Sequence, residues 1–415
     1  MANQFENTSW VSLKVLGFLT NNLTVAEYFN RDWEKDFRRE FAPGSTIDVK
    51  FPQSFLTIDG PGYAPQGINQ QITTITLDQW VQIPFEWDDM EVALKLERSE
   101  EELDRMYFEP AGKQMAQEWD SRAALFATNN ISTIVGQLGT DPTSLTTYDL
   151  AKSRLLQKAA LGGKRSLCIS SDMMNALAPV IEAFLNPGDE VSRMFKEGYI
   201  GILKNFDLFE SQSLYVHTSG VWASQTGVTM VGANQTGSSI SIQGSNGDTI
   251  KQGDKISIGA VHFVNPRTRR VVGGSNNLAT FTVTQDYTLT GGTDVISILP
   301  PIYGPGSQYQ NVDALNNNGD QLALFPGTNM VDGQSKSGTI GLGLTPSAFA
   351  MVGAKLYLPD AVEESSQKMD PDTGIAIRYV HAWDPFHSLN IHRFDSLGGF
   401  GNLYQDNGAV GVLGA

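Results

Sequence analysis

Three histidines that lie close together in the sequence are the first candidates for chemistry, because imidazole is a common metal ligand. They are His381, His387 and His392. Their spacing fits no i, i+4 pair on a helix, and alternation along a strand would scatter the three rings. We therefore interpret them as ordinary strand or loop residues and predict no metal site.

Three further motifs match functional sites only in part. Asp370-Pro-Asp-Thr-Gly374 begins like a calcium-binding loop, but it lacks the glycine at the sixth position and the glutamate at the twelfth, where His381 stands. A plain turn is the simpler interpretation. Gly341-Leu-Gly-Leu344 has the first two glycines of a dinucleotide-binding fingerprint and lacks the third. Cys168 lies in a short apolar segment, which predicts a buried and inert thiol.

The acidic run Glu97–Asp104 could be interpreted as a carboxylate site. It contains Ser99-Glu-Glu-Glu102, a capping box that predicts a helix N-terminus, where acidic side chains are favoured electrostatically. The sequence contains no Walker loop and no serine in a nucleophile elbow. We therefore predict no catalytic, cofactor-binding or metal-binding residue, no cofactor and no enzymatic activity.

Two segments with strict alternation, Thr46–Phe51 and Gln71–Ile83, predict strands. The passage Asp59–Gly67 between them is rich in Gly and Pro, so the segments form an extended hairpin with a turn-rich tip. An isolated hairpin is unstable in water, so this one should lie against the rest of the chain or against a neighbour. Before it, residues 11–41 predict short helices, which form either an arm or a helix packed on the chain's own core.

Helices and short strands alternate after the hairpin. A helix should follow Ser99, and Pro110 either interrupts it or restarts it at a first-turn position, with an apolar face that continues to about Asn130. The next predicted elements are a helix from Thr143 or Ser144 to Gly162–Gly163, the strand Ser166–Ile169, a helix capped by Ser171–Asp172 and a short helix over about 189–197. This order indicates α/β or α+β packing.

A region rich in Gly, Asn, Ser and Thr then contains closely spaced strands, which predict a small antiparallel barrel or sandwich. The predicted strands are Val228–Val231, Ser239–Gln243, Lys255–Val264, Thr280–Thr284 and Val295–Ile298. Residues 300–340 are predicted to be an irregular connection. Strands resume at Phe349–Leu356, Ile375–His381 and Ser388–Asp395, and a Gly-rich tail follows at Leu397–Ala415.

The composition limits the class of protein further. The 415 residues suggest two or three domains, and the formal net charge of −16 argues against a dedicated nucleic-acid binder. The single cysteine, Cys168, allows no intramolecular disulfide. Met1–Ser9 does not resemble a signal peptide, and no apolar run approaches the roughly 20 residues that span a bilayer. We expect a protein made in the cytosol, with no membrane association.

Two phrases near the start of the β-rich region provide a family resemblance. Gly198–Leu214, with Phe206-Asp-Leu-Phe-Glu-Ser211 inside it, resembles the segment just before the insertion domain of podophage coat proteins of the P-twenty-two type. Gly253-Asp-Lys-Ile-Ser257 with Val261-His-Phe263 is similar to a strand phrase inside that domain. The order of predicted elements is also similar to that of the family, from the N-terminal arm to the Gly-rich end.

The resemblance implies an α+β chain with the Hong-Kong-97-type major capsid fold and an inserted antiparallel β-barrel. The implied divisions are an N-terminal arm (1–45), an extended loop made of the long hairpin (46–98), a peripheral domain with a spine helix and the first part of an axial domain (99–225), the β-barrel insertion domain (226–345), and a return to the axial and peripheral domains with a C-terminal tail (346–415).

The resemblance also implies a function. The chain would be the major coat protein of a tailed double-stranded DNA phage and would self-assemble, as hexamers and pentamers, into an icosahedral shell around the genome. A scaffolding protein and a portal are the expected partners, and DNA would be enclosed without sequence-specific binding. The expected location is the virion capsid, after synthesis and assembly in the host bacterial cytoplasm. The alternative, favoured only by the β-rich region, is a tail-fibre or surface adhesion protein.

Overall fold

The computed structural model describes residues 8–31, 46–50, 54–57, 60, 65–68, 71–88, 104–160, 163–184, 202–203, 205–271, 277–359, 364–370, 373–384, 386–387 and 389–415. The chain is divided into two compact units. The first comprises Met1–Val49, Ile72–Ala123 and Phe349–Leu403, and the second comprises Lys50–Gln71, Ala124–Ala348 and Tyr404–Ala415. Both units contain helices and sheets, so the chain belongs to the mixed α+β class.

The helices of the described residues are α1 (Thr8–Asn21), α2 (Glu109–Asn130), α3 (Leu145–Gln157), α4 (Ser171–Phe184) and α5 (Gln405–Gly408). Their strands are β1 (Thr46–Lys50), β2 (Ile72–Thr76), β3 (Gln79–Asp88), β4 (Ile134–Gly136), β5 (Arg165–Ile169), β6 (Ile202–Leu203), β7 (Phe206–Glu210), β8 (Val216–Thr218), β9 (Thr229–Met230), β10 (Gly237–Gln243), β11 (Thr249–Ile250), β12 (Lys255–His262), β13 (Leu278–Val283), β14 (Tyr287–Thr288), β15 (Asp294–Ile302), β16 (Leu322–Leu324), β17 (Ser337–Leu344), β18 (Phe349–Ala354), β19 (Glu364–Met369), β20 (Ala376–Asp384), β21 (Leu389–Asn402) and β22 (Ala409–Leu413).

The first unit is built on a sheet of order β18-β21-β20-β19, in which β3 also pairs with β21. β21 is 14 residues long and pairs with β3 from Leu389 to Gly398. The prediction that this strand ends at Asp395 and gives way to a tail is wrong. The strand continues through Gly398–Gly401 to Asn402, because this segment pairs with β18.

The long helix α2 begins and ends as its sequence indicates. A π-helical turn, Asp104–Phe108, precedes it, and Pro110 lies in its first turn, where the missing N–H is no loss. Of the two interpretations of Pro110, the restart of the helix is therefore confirmed, as is the end near Asn130. The capping box at Ser99 lies outside the described residues.

The helix α1 packs on the core of the first unit. Leu19 is fully buried, and a Cβ at Gly112 of α2 would lie only 2.6 Å from a side-chain atom of α1, so the glycine permits the close approach. Asp120 of α2 accepts three hydrogen bonds, of 2.7 to 2.9 Å, from the turn that follows α1. Of the two alternatives, α1 is therefore the helix packed on the chain's own core, and residues 32–45 lie outside the described part of the chain.

The second unit contains a mixed sheet of order β4-β22-β17-β5-β7-β6, with β8 beside β17. Apolar side chains of α3, α4 and this sheet form one buried cluster, which includes Tyr148, Leu155, Leu167, Met173, Leu177 and Val410. Cys168 is buried in β5, as predicted. β22 lies within the sheet, so the end of the chain is not a simple tail.

The glycines of Gly341–Leu344 have a packing role in β17. A Cβ at Gly343 would lie 2.7 Å from a side-chain atom of Val410, its partner on β22. The motif is therefore part of a strand in a sheet and not the phosphate-binding turn of a dinucleotide site. Residues 300–340, predicted to be irregular, contain β16 and the start of β17.

The β-rich segment of the second unit forms a closed antiparallel barrel. Its strand order is β16-β12-β13-β15-β10-β9, and a bridge between Thr229 and Gln321 joins the first and last strands. Two backbone hydrogen bonds support this closure, from Met230 N to Asp320 O at 2.8 Å and from Leu322 N to Val228 O at 2.9 Å. Closure removes the open sheet edges, so the strands form a barrel and not a sandwich.

Candidate functional site

The predicted hairpin is shorter than its sequence pattern suggests. Within the described ranges β1 pairs with β2 alone, and the alternating segment Gln71–Ile83 is split after Thr76 into β2 and β3. β3 leaves the hairpin and forms a ladder with β21, in which Gln79 pairs with Gly398 and Asp88 with Leu389. The base of the hairpin is therefore joined directly to a long strand of the first unit.

Three glycines of β21 allow this base to sit close to its neighbours. A Cβ at Gly399 would lie 1.9 Å from the carbonyl oxygen of Thr76, and a Cβ at Gly401 would lie 2.4 Å from Ile75. A Cβ at Gly398 would lie 2.7 Å from the indole of Trp119 on α2. Successive residues of a strand face opposite sides. β21 therefore contacts the end of β2 on one face and the long helix on the other.

A buried carboxylate, Asp395, fixes the start of β3. Its side chain has no solvent exposure, and it accepts hydrogen bonds from Trp80 Nε1 at 3.0 Å and Arg393 Nε at 2.7 Å. Arg378 donates two more, at 2.5 and 3.2 Å. Both guanidinium groups also lie over the Trp80 ring, 5.7 and 5.8 Å from its centroid. We call these four residues the Asp395 clamp; charge-assisted hydrogen bonds and cation–π contacts act together in it.

Two of the three candidate histidines meet, contrary to the expectation that strand alternation would scatter them. His381 on β20 and His392 on β21 are cross-strand partners, with ring centroids 4.5 Å apart and planes 10° from parallel. His392 Nδ1 lies 2.7 Å from the Tyr379 hydroxyl. The expectation failed because the residues lie on two paired strands at the same register. His387 is exposed and pairs with Asp384 at 2.6 Å.

The geometry of these histidines is that of a packed aromatic stack. Phe85 stacks on the other side of His392, with centroids 5.1 Å apart. Within the described residues, no group of three His, Cys, Asp or Glu side chains is placed to hold a metal ion.

The segment that begins like a calcium-binding loop is the predicted turn. The Asp370 carboxylate accepts bonds from Thr373 N and Oγ1, and Gly374 has a φ of +69°. Of the acidic run Glu97–Asp104, residues 97–103 lie outside the described residues.

The buried His392 should make the first unit sensitive to acid. Burial, with a smaller contribution from His381, lowers the pKa of His392 from 6.5 to about 3. The unfolded chain binds a proton there below about pH 6.5, whereas the folded chain does not. Stability is therefore complete above about pH 6.5 and falls toward acid, by at most about 1.4 kcal/mol per pH unit from this group.

The substitution His392→Gln, which keeps an acceptor for Tyr379, tests this dependence. Its free energy of unfolding should fall less steeply than that of the wild type between about pH 6 and pH 4. Equal slopes for the two proteins over this range would contradict the assignment.

In the second unit, the family phrase that begins at Gly253 lies at a buried joint with the segment 217–220. Asp254 is fully buried, and its carboxylate accepts from His217 Nε2 at 2.8 Å, Gly220 N at 3.0 Å and Lys251 N at 2.8 Å. Gly253 has a φ of +89°, and a Cβ there would lie 2.6 Å from Asn129 Oδ1. Only glycine fits this close, left-handed position beside the end of α2.

Lys255 completes this joint by capping the long helix. Its ammonium group is fully buried and donates to Thr128 O at 2.8 Å and to Thr282 Oγ1 at 3.1 Å. The Thr282 hydroxyl in turn donates to Ile131 O at 2.6 Å. The last carbonyls of a helix have no partner inside it and carry partial negative charge. Two strands of the barrel, β12 and β13, therefore supply the C-terminal cap of α2.

Removal of the Lys255 cap should destabilise the second unit. Burial lowers the pKa of Lys255 to about 7, and the neighbouring Asp254 carboxylate opposes that shift. Lys255→Met keeps the aliphatic bulk and removes both hydrogen bonds, so we expect a loss of about 2–3 kcal/mol in the free energy of unfolding. Lys251→Met is the matched control, because it keeps the backbone bond to Asp254 and removes a side chain whose ammonium group makes an exposed 3.5 Å contact with Asp286. Equal losses for the two variants in urea titration would contradict the capping role.

Comparison with known proteins gives matches among solved structures only. No family model matches the chain, and no curated protein matches it. It is similar to a structure from Mycobacterium phage Che8 with a TM-score of 0.47 and 12% identity, covering 94% of this chain and 90% of that one. It is also similar to the capsid of Ralstonia phage GP4, with a TM-score of 0.45 and 7% identity, covering 94% of this chain and 87% of that one. For the capsid of cyanophage P-SCSP1u the TM-score is 0.44 and the identity 11%, covering 95% of this chain and 88% of that one.

Among the residues that the structure describes, no helix combines the length and the apolar character that a membrane crossing needs.

Proposed function

We propose that this chain is the major capsid protein of a tailed double-stranded DNA phage and assembles with copies of itself into an icosahedral shell. The observation that supports this most is the hairpin. Its base is held by the ladder of β3 and β21 and by the Asp395 clamp. Its outer part exposes large apolar side chains: Phe55 is 64%, Ile68 82% and Ile72 56% exposed.

An element that exposes large apolar side chains is typical of a surface that contacts another protein. When the partner is a second copy, each subunit both presents the hairpin and receives one, and closed symmetry prevents open-ended growth. The resemblance of Gly198–Leu214 and Gly253–Phe263 to coat-protein phrases agrees with this role. In the second phrase, Asp254 and Lys255 form the joint between the barrel and α2, so this phrase has a structural role.

Within this proposal, the chain has the Hong-Kong-97-type capsid fold. Residues 1–45 take the place of the N-terminal arm, although their described part packs on the core of the first unit. Residues 46–98 are the extended loop, 99–225 and 346–415 the peripheral and axial domains, and 226–345 the insertion domain. Hexamers and pentamers form the shell, with a scaffolding protein and a portal as partners, in the cytoplasm of the host. The net charge of −16 suits a shell that encloses DNA without gripping it.

Purified protein, alone and with its scaffolding partner, can be run on a sizing column and imaged by negative-stain electron microscopy. Closed shells or capsomer rings are the expected result. A clean trimeric rod, or a compact monomer under every condition, would overturn the proposal. Tight binding to duplex DNA with a steep salt dependence would overturn its electrostatic part.

A further inference from the structure

The tip of the hairpin is hydrogen-bonded to loops of the barrel. Arg269, in the loop after β12, donates to the carbonyl oxygen of Phe55 at 3.2 Å. Gln308, in the loop after β15, donates to the carbonyl oxygen of Gly67 at 2.9 Å. Both segments belong to the second unit. One barrel loop therefore holds each side of the tip.

The two sides of the tip are also tied to each other. The Gln66 side chain accepts from Leu56 N at 2.7 Å and donates to Leu56 O at 2.5 Å, as a backbone neighbour in a sheet would. This pairing holds the two described parts of the tip, 54–57 and 65–68, side by side. The tip therefore meets the barrel as one body and not as two loose segments.

Local hydrogen bonds hold the described part of the barrel loop that carries Arg269. The Asn265 side chain accepts from Arg267 N at 2.9 Å and Thr268 N at 3.1 Å, an Asx turn, and donates to Gln157 O at 2.7 Å. Arg269 has a φ of +54°, and its backbone N donates to Asn265 O at 2.7 Å.

Arg269 also donates to the carbonyl oxygen of Gln308 at 3.1 Å. This bond links the two loops that contact the tip. The donors are therefore in place on a preorganised surface.

These contacts use only the backbone of the tip. Both accepting groups are carbonyl oxygens, whereas the side chains of Phe55 and Ile68 remain largely exposed. A support that binds the backbone fixes the position of the apolar side chains and leaves them available. Ordering a binding loop in advance reduces the entropy that is lost when a partner binds.

We infer that the barrel braces the hairpin tip, with Arg269 and Gln308 as positioning residues that present Phe55 and Ile68 to a second copy of the chain. The inference rests on the proposed function for the identity of the partner. It assigns to the barrel a role in subunit contact that needs no direct contact between the barrel and the neighbouring copy.

The test uses the full chain with Arg269→Ala and Gln308→Ala combined. Hydrogen exchange of the amides in 54–57 and 65–68 should accelerate, and subunit association should weaken by about tenfold, while the melting temperature stays unchanged. Arg267→Ala is the control, because Arg267 is an exposed residue of the same loop whose backbone, and not its side chain, binds Asn265. Arg269→Lys, which keeps a cationic donor, should recover part of the protection.

Wild-type exchange rates at the tip in the double variant would overturn the brace. So would accelerated exchange in the Arg267 control to the same degree. The exchange experiment is performed on unassembled subunits, so its outcome is independent of the proposed function. If the wild type never assembles, the proposed function fails while the brace is still tested.

Discussion

Replacement of Asp395 with alanine should lower the free energy of unfolding of the first unit by about 3–5 kcal/mol, the usual cost of removing one partner from a buried ion pair. The carboxylate is the common acceptor for Trp80, Arg378 and Arg393. Arg378 is only 12% exposed, so its charge would remain largely buried without a counter-ion. The Trp80 indole N–H would lose its acceptor as well.

Urea titration followed by tryptophan fluorescence measures this loss. Asp384→Ala is the matched control, since Asp384 in the same sheet pairs with the exposed His387. Its effect should be much smaller than that of Asp395→Ala, as for most surface substitutions. Asp395→Asn, which keeps the shape and part of the hydrogen bonding, should fall between the two. A loss below about 1 kcal/mol for Asp395→Ala would show that the clamp does not hold the hairpin base.

Substitution of Phe55 and Ile68 with serine should abolish assembly and leave the subunit folded. Both side chains are mostly exposed, so folding loses little when they are removed. Burial of each against a second copy would contribute about 2 kcal/mol, so loss of both weakens every such contact by roughly a thousandfold. Light scattering follows assembly, and circular dichroism with the melting temperature follows the fold.

Leu156→Ser is the control for this experiment, because Leu156 is 54% exposed on α3, away from the hairpin in sequence. It should assemble like the wild type. Wild-type assembly of the Phe55 and Ile68 double variant would contradict the hairpin as the contact surface. Unfolding of the double variant would contradict the claim that these side chains are dispensable for the fold.

Local signals were sufficient to predict the existence of most elements. The Pro110 restart, the strands of the barrel and the Ser144 cap of α3 all follow from short-range chemistry. Their ends were less predictable. α3 ends at Gln157, before Gly162–Gly163, because Ala159 takes a left-handed conformation with a φ of +55° and Ala160 N bonds to Leu155 O. Alanine gives no sequence signal for that stop.

The features that sequence reasoning missed depend on partners far away in the chain. Gly398–Gly401 looks like a loose tail until Ile75, Thr76 and Trp119 are seen against it. His381 and His392 meet only because of the β20–β21 register. Both are cases in which the environment of a residue is set by strand pairing, which periodicity alone does not specify.

For the candidate site, the sequence marks segments that resemble a family but does not show what their residues contact. In the sequence, Gly253-Asp-Lys255 is only a family phrase. Its structural role depends on α2, because Lys255 binds the carbonyl oxygen of Thr128, which lies 127 residues earlier. A Gly-Asp-Lys sequence at the start of an apolar strand is a signal in retrospect, because an ammonium group there must find a buried acceptor. Arg378 and Arg393 precede Asp395 in the sequence and are a comparable signal, because they can supply the cationic partners that a buried carboxylate needs.

The most direct test of the central claim is a cryo-electron microscopy reconstruction of the assembled protein at side-chain resolution. We predict closed particles in which Phe55 and Ile68 of every subunit are buried against a second copy of the chain. Particles whose hairpin tips project into solvent, with these two side chains exposed, would contradict the account.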